Sequence, residues 1–459
     1  MVKSTNVIVE GTVIVMRRKN NMKRIKLKDL DQYFGKEIEV QAFVENIRDL
    51  QYVQFIILRD GSATVQMTIE KSEEKNAALV ELFKELPLES TIKAKVLVSE
   101  NPKVKLRGME LLPIEVEVTS RSKNELPIDL KDKEKTLRET RLDYRFLDLR
   151  RKDNHLLFEC ETYLEHMMRE YCIEHEYMEI HSPKIAAGAA ESGAEVFKID
   201  YFGEEACLSQ SPQFYKQMAI AAGFDQVFEI GPAFRAENSH TSYHATEINM
   251  ADVEIGWIHS FEDVMEMEEE LLKYTISKLN EKYGEEIKST FHVDLVDTSI
   301  PFARVTFDEA KRILKEECNF VGEREDDFER QEEMLICEYF KKKTGTDFVF
   351  VTKFPFAARP FYHMLDSDGK TCSYDLLFRG IELTTGAQRE HRRDILEQQM
   401  IEKEIDPKSL AFYLEFFEYG CPPHGGFAIG IGRFMMQLFN IDNIREATFI
   451  YRGPTRLNP

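Results

Sequence analysis

The sequence predicts a protein of the α+β class, with a small all-β barrel followed by a larger domain built on a mostly antiparallel sheet flanked by helices. Three observations lead there. Residues 37–120 alternate apolar and polar side chains in short, evenly spaced runs broken by turn residues, the pattern of half-buried strands. Beyond about residue 141, stretches with helical periodicity interleave with short β-branched stretches. The length of 459 residues exceeds what a single core comfortably holds, so at least two domains are expected.

Taken in order, residues 1–21 form an N-terminal extension expected to be unstructured, and Met22 offers an alternative start to Met1. The first domain is placed at 22–122. Its strand-like runs are EIEVQAFVENIRDL from 37, QYVQFIILRDGSATVQMTIE from 51, TIKAKVLVSE from 91 and MELLPIEVEV from 109. Between them, KSEEKNAALVELFKEL (71–86) reads as an amphipathic helix, in the place where an oligonucleotide-binding barrel carries one. Residues 123–140 are polar and charge-dense and read as a hinge. The second domain, 141–459, opens with a long helix over 156–180 that runs into Pro183. Further helices are predicted at 261–283, 307–317, 326–343 and 392–404, and strands at 227–234, 246–257, 348–353, 373–378 and 427–431.

Composition narrows the class of function. The 43% hydrophobic and 31% charged content is that of a globular protein, and no apolar run approaches the roughly 20 residues of a membrane span. VIVEGTVIVM near the start is interrupted by Glu10 and lacks a signal-peptide cleavage pattern, so a cytoplasmic location is expected. The seven cysteines are scattered and never in a C-x-x-C pair, which argues against a disulfide framework and a zinc site. A net charge of −21 leaves any nucleic-acid contact to a local face.

Three segments are too polar for their strand-like setting. FEIGPAFRAENSHTSYHATEINMADVEIGW (228–257) reads as a hairpin whose tip carries Arg235, Glu237 and His244, a reasonable anion clamp. SYDLLFRGIELTTGAQREH (373–391) sets Asp375, Glu382, Thr385 and Arg389 together. Glu382 and Thr385 offer oxygens suited to Mg²⁺, and Arg389 has the planar fork that grips a carboxylate. CLSQSPQFYKQMAI (207–220) places Ser211, Gln213 and Lys216 at a turn opening a helix. Together these suit a small acidic ligand. A fourth run, GFAIGIGRFMMQLF (426–439), leaves open whether its glycines mark a nucleotide site or a packed turn.

These segments resemble the class II aminoacyl-tRNA synthetases and, within them, the aspartyl-tRNA synthetases of the archaeal and eukaryotic type. IHSPKI (180–185) sits where motif 1 ends, FRAENSHTSYHATEI (234–248) is similar to motif 2, and GIGRF (430–434) to motif 3. QSPQFYKQ, ELTTGAQREH and NIREATFIYRGPTRLNP are more specific still. The resemblance implies a two-step ligase. L-Aspartate and ATP with Mg²⁺ give aspartyl-adenylate, which then esterifies the terminal adenosine of tRNA(Asp), with tRNA(Asn) as a further candidate acceptor. It implies a homodimer with no membrane association.

Residue roles follow from the same resemblance. Arg235 meets the α-phosphate, Glu382 and Thr385 hold the metal ion, and Glu237 and His244 face the rest of the nucleotide. Gly430 leaves room for the ribose, and Arg433 stacks on adenine. Lys216 and Arg389 hold the substrate's side-chain carboxylate, and Ser211, Gln213 and Asp252 place its amino end. Glu191 belongs to a closing loop. In the barrel, Phe55 stacks an anticodon base beside Arg48 and Gln66. No nucleophilic side chain is expected, since the chemistry is positioning and electrostatics.

Three positions depart from the family pattern. Tyr243 replaces an arginine, Ile248 a phenylalanine that stacks on adenine, and Gly432 an acidic residue. The lost stacking alone implies about 1–3 kcal/mol weaker adenine binding. Two alternatives follow, a paralogue that adenylates aspartate for a small acceptor and a non-catalytic RNA-binding protein.

Overall fold

The computed structural model describes residues 5–9, 12–16, 24–187, 195–238 and 241–458. Thr5–Val9 and Thr12–Met16 pair antiparallel within the extension expected to be unstructured. Their run of β-branched residues supplies the strand propensity. The chain divides into two compact units, Met1–Pro127 and Ile128–Pro459.

The first unit is a closed five-stranded barrel. Around it run Glu37–Asp49, Val53–Arg59, Thr64–Glu70, Met109–Ser120 and Thr91–Glu100, with the helix Ala77–Glu85 between the third and fourth strands in sequence. Closure pairs Thr64–Glu70 with Met109–Ser120 in parallel, while the other pairings are antiparallel. Alternation decides the faces. Gln54, Ile56 and Leu58 point inward, and Phe55 and Ile57 outward. Val40, Val44, Ile56, Leu58, Val65, Met67, Ala94 and Val96 fill the interior.

The second unit is built on an eight-stranded sheet. Its order is Ala303–Thr306, Phe348–Thr352, Ser373–Phe378, Ile381–Arg389, His424–Gly430, Glu247–Gly256, Gln226–Phe234 and Met178–Glu179. All pairings are antiparallel except those of the two edge strands. The helices Lys152–Glu174 and Phe261–Phe291 supply much of the core: Leu157, Leu164 and Met168 from the first and Val264, Leu271 and Ile276 from the second pack with Phe350, Tyr374 and Phe427 of the sheet. The side chains of the site converge on a cleft of about 340 Å³. Three strands form a small separate sheet, Ile185–Ala187, Glu204–Leu208 and Lys198–Tyr201. Among the described residues no helix is long and apolar enough to cross a membrane.

Candidate active site

Strand register assembles the site. Glu229 pairs with Asp252, Asp252 with Ala428, Ala428 with Thr385, and Thr385 with Asp375, one row across five adjacent strands. Side chains in register point to the same face, so residues about 150 positions apart in the chain become neighbours. Glu382 joins that face through an irregularity. Successive strand residues alternate faces, so Glu382 and Thr385, three apart, belong on opposite sides. The register shift between Leu376 and Leu377 inserts an extra residue, Leu383, and this bulge restores both oxygens to one side.

Their geometry is tight. Thr385 Oγ1 lies 2.9 Å from Glu382 Oε1 and 3.0 Å from Asp375 Oδ1. Arg359 grips both oxygens of Asp375, with Nη1 at 2.8 Å. Burial raises the Asp375 carboxyl above the usual range despite Arg359, with the Glu382 charge adding to it. Burial works against ionised Glu382 too, but Arg433 and Arg359 hold it below the usual range. Glu382 is therefore the carboxylate and Asp375 the group that more readily keeps a proton. Arg433, on the helix Ile431–Leu438, donates from Nη1 to the Glu382 carbonyl at 3.1 Å and stands 4.0 Å from its carboxylate.

At the other side of the row, two cations are buried together. Lys216 Nζ lies 3.2 Å from Asp252 Oδ1 and 3.3 Å from Glu254 Oε2, and donates to the carbonyls of Val253 and Phe427. Arg389 donates from Nε to Glu254 Oε1 at 3.0 Å and from Nη2 to the Gly426 carbonyl at 2.9 Å. Its Nη1 is 3.2 Å from His363 Nε2. Although burial disfavours its charge, Glu254 is held below the usual range by Arg389 and Lys216. Burial raises Asp252, whose nearest cation is Lys216 alone. A side chain on Gly426 would meet Glu254 Oε2 at 2.3 Å, so glycine there is what lets this carboxylate sit under the sheet. His424 is driven down to about 4 by burial and His363 well below its ordinary value, so neither imidazole adds charge at neutral pH.

Arg235 differs from these. It follows the strand Gln226–Phe234 and lines the cleft, and while its backbone N–H donates to the Thr246 carbonyl, its side chain makes no hydrogen bond or ion pair with any described residue. His244 accepts or donates through Nδ1 to Thr241 Oγ1 at 2.5 Å, and burial followed by the Arg433 charge lowers its pKa. Glu237, Ser211, Gln213 and Ile248 line the same cleft. At Gly430 a Cβ would meet nothing nearer than Arg433 Cβ at 4.0 Å, so the strand end is open toward the cleft. Gly432 faces Ile444, 3.3 Å from where its Cβ would be. Apolar surface occupies the place of the expected acid.

Every described site residue predicted for the second domain thus lines one cleft, while Glu191 lies outside the described residues. Sequence reading left Asp375 without a role and missed Glu254, His363 and Arg359. Glu254 had a signal, since it sits two residues after Asp252 on the same strand face. His363 and Arg359 come from an irregular segment and had none. In the barrel, Phe55 pairs with Arg48 and with Thr68, and Gln66 donates to Thr68 Oγ1 at 3.2 Å. Phe55 is half-buried on the outer face rather than in the core.

A mostly antiparallel sheet whose strands gather cations and a carboxylate pair over one cleft, with a separate five-stranded barrel, matches known families. Residues 137–451 match the model for class II tRNA synthetases (D, K and N), and residues 38–122 match an OB-fold nucleic acid binding domain. The chain therefore belongs to the class II tRNA synthetases. It is 40% identical over 427 residues to the aspartate–tRNA(Asp) ligase of Pyrococcus horikoshii, spanning 93% of this chain and 97% of that one. It is 39% identical to the aspartate–tRNA(Asp/Asn) ligase of Methanopyrus kandleri over 93% and 96%. Within the class, its family is that of the aspartate–tRNA ligases.

Solved structures agree. The aspartyl-tRNA synthetase of Entamoeba histolytica superposes with a TM-score of 0.84 at 31% identity, covering 100% of this chain and 99% of its own. The asparaginyl-tRNA synthetase of Pyrococcus horikoshii, complexed with asparaginyl-adenylate, gives 0.88 at 30%, covering 95% and 100%.

Proposed function

We propose that this chain is an ATP-dependent aspartate–tRNA ligase acting through the cleft described. The observation that carries the reading is the combination of Arg235, whose side chain has no partner among the described residues, with a buried pair, Lys216 and Arg389, framed by carboxylates. In the first step a carboxylate oxygen of aspartate attacks the α-phosphorus of ATP. The bond to pyrophosphate breaks and aspartyl-adenylate forms. Arg235 meets the charge that develops on the α-phosphate, where a preorganised donor is most effective. In the second step the 3′-hydroxyl of the terminal tRNA adenosine attacks the acyl carbon and AMP leaves.

The donor set beneath the triphosphate is all oxygen, with Glu382 ionised and Thr385 at 2.9 Å, which fits a hard cation that fills its shell with phosphate and water. Bound there, Mg²⁺ supplies charge neutralisation to the phosphates. Glu382 and Thr385 are its proposed holders. Glu237 and His244 face the rest of the nucleotide, Gly430 the ribose and Arg433 the adenine.

The side-chain carboxylate of aspartate is assigned to Arg389 and Lys216. Arg389 keeps one Nη1 hydrogen beyond its contacts to Glu254, Gly426 and His363. Lys216 has to turn one donor from its protein partners toward the substrate. Ser211, Gln213 and Asp252 place the amino end. Phe55, Arg48 and Gln66 read the anticodon of tRNA(Asp), base stacking on an aromatic being the common mode for single-stranded RNA. A homodimer is proposed through the helix Lys152–Glu174, where an apolar groove of about 590 Å³ is lined by Phe158, Tyr163, Tyr283 and Phe449.

Aspartate-dependent exchange of pyrophosphate into ATP, followed by charging of tRNA(Asp) and tRNA(Asn), tests the reading. Exchange and charging of tRNA(Asp) are expected. Exchange without charging would move the acceptor to a small molecule, and absence of exchange at saturating ATP would remove the enzymatic reading.

A further inference from the structure

The residue preceding His244 is aromatic, yet a cation stands on it. Tyr243 lines the cleft. The Arg330 guanidinium lies over its ring, 4.7 Å from the centroid, and Nη2 reaches the Tyr243 hydroxyl at 3.4 Å. An aromatic face holds a cation without cancelling its charge. Arg330 begins the helix Arg330–Thr344, and its single ion-pair contact among the described residues is Glu333 Oε2, 3.3 Å from Nη1 on the same helix. The Arg330 side chain is 37% exposed, so part of the guanidinium fork remains open. Tyr243 shares its cleft with Glu382, the carboxylate proposed to hold the metal ion.

We propose that Arg330 binds the β- or γ-phosphate of ATP, held by the Tyr243 ring where the family pattern has an arginine in motif 2 itself. The cation has moved from one element to another, and the aromatic at 243 is the seat that receives it. A guanidinium resting on a ring can turn its planar fork to two phosphate oxygens, which a lysine in its place cannot match. The proposal rests on reading the cleft as an ATP site.

Titration calorimetry separates the two. Magnesium ATP and AMP are titrated into the unaltered protein, into Arg330→Ala, and into Arg330→Ala combined with Tyr243→Arg. The expected result is about 10- to 100-fold weaker ATP binding in Arg330→Ala, the range of one charge-assisted contact. AMP binding stays unchanged, and ATP binding recovers to within about threefold in the double variant, where the charge returns to position 243. Arg330→Met, which keeps an apolar stem on the tyrosine ring, serves if the alanine variant does not fold. Equal ATP binding with and without Arg330 overturns the assignment and leaves the ATP site intact. Equal losses for ATP and AMP overturn it as well, marking Arg330 as a fold residue. An unaltered protein that binds no ATP overturns both the assignment and the function on which it rests.

Discussion

Two arginines share the cleft and should fail in opposite ways. Arg389 is 3% exposed and committed to Glu254, His363 and the Gly426 carbonyl. Replacing it with Gln leaves Glu254 buried with Lys216 as its remaining cation, at 3.3 Å. Breaking a buried ion pair from one side costs about 3–5 kcal/mol. At about 2 °C per kcal/mol for a unit of this size, the melting temperature should fall by roughly 6–10 °C. Arg235 has no such partner among the described residues, so Arg235→Gln should change stability by less than about 0.5 kcal/mol, as surface substitutions do. Its exchange rate should nonetheless fall about 10²- to 10³-fold, the cost of removing one donor aimed at developing charge. Thermal melting and aspartate-dependent ATP–pyrophosphate exchange on both variants decide the matter. A drop of several degrees in Arg235→Gln would make Arg235 structural. Exchange within threefold of the unaltered rate would remove it from the reaction.

Two further outcomes follow from burial. Glu268 is fully buried under the sheet, accepts a hydrogen bond from Tyr374 at 2.6 Å, and is pushed by burial from 4.5 up to about 8. A carboxyl raised in the folded state lends stability that is complete below its unfolded pKa and is lost as pH rises through the folded value. Glu268→Gln should therefore gain on the unaltered protein between pH 5 and pH 8, by on the order of a few kcal/mol, and a difference in melting temperature that stays constant over that window would refute the assignment. Phe55→Ala should raise the KM for tRNA about 10- to 100-fold, the worth of one stacked base, while pyrophosphate exchange stays unchanged. A matching loss of exchange, or a fall of several degrees in melting temperature, would make Phe55 a structural residue instead.

What the sequence carried, it carried through periodicity. The alternation over 37–120 has its counterpart in five barrel strands, and the helical spacing over 307–317 appears as the helix Phe307–Glu316. Segment chemistry named the residues of the cleft, because Arg235 stood on a polar hairpin tip, Glu382 in a segment too polar to be plain core, and Lys216 at a turn opening a helix. Pairing was beyond it. Nothing in ELTTGAQREH announces the bulge at Leu383 that turns Glu382 and Thr385 to the same side. Nor does the spacing reveal that Lys216 and Arg389, expected to await a substrate, are already held by Glu254, a residue 38 and 135 positions from them. Such facts depend on register between distant strands, which local pattern does not encode.

Two of the three departures from the family pattern, Gly432 and Tyr243, have a common physical logic. Position 432 offers the Arg433 guanidinium no carboxylate. With glycine at 432, Arg433 takes its partner from the neighbouring strand instead, donating to the Glu382 carbonyl at 3.1 Å. That ties the guanidinium to the same residue whose carboxylate is proposed to hold the metal ion, so the proposed adenine and metal ends of the cleft share one anchor. The Arg330 guanidinium on the Tyr243 ring has the same character, since in both places the contact is made between elements. Contacts between elements exist only in the folded unit. Nucleotide affinity should therefore be more sensitive to loosening of the sheet and of the helix Arg330–Thr344 here than in a protein whose motifs carry those charges themselves.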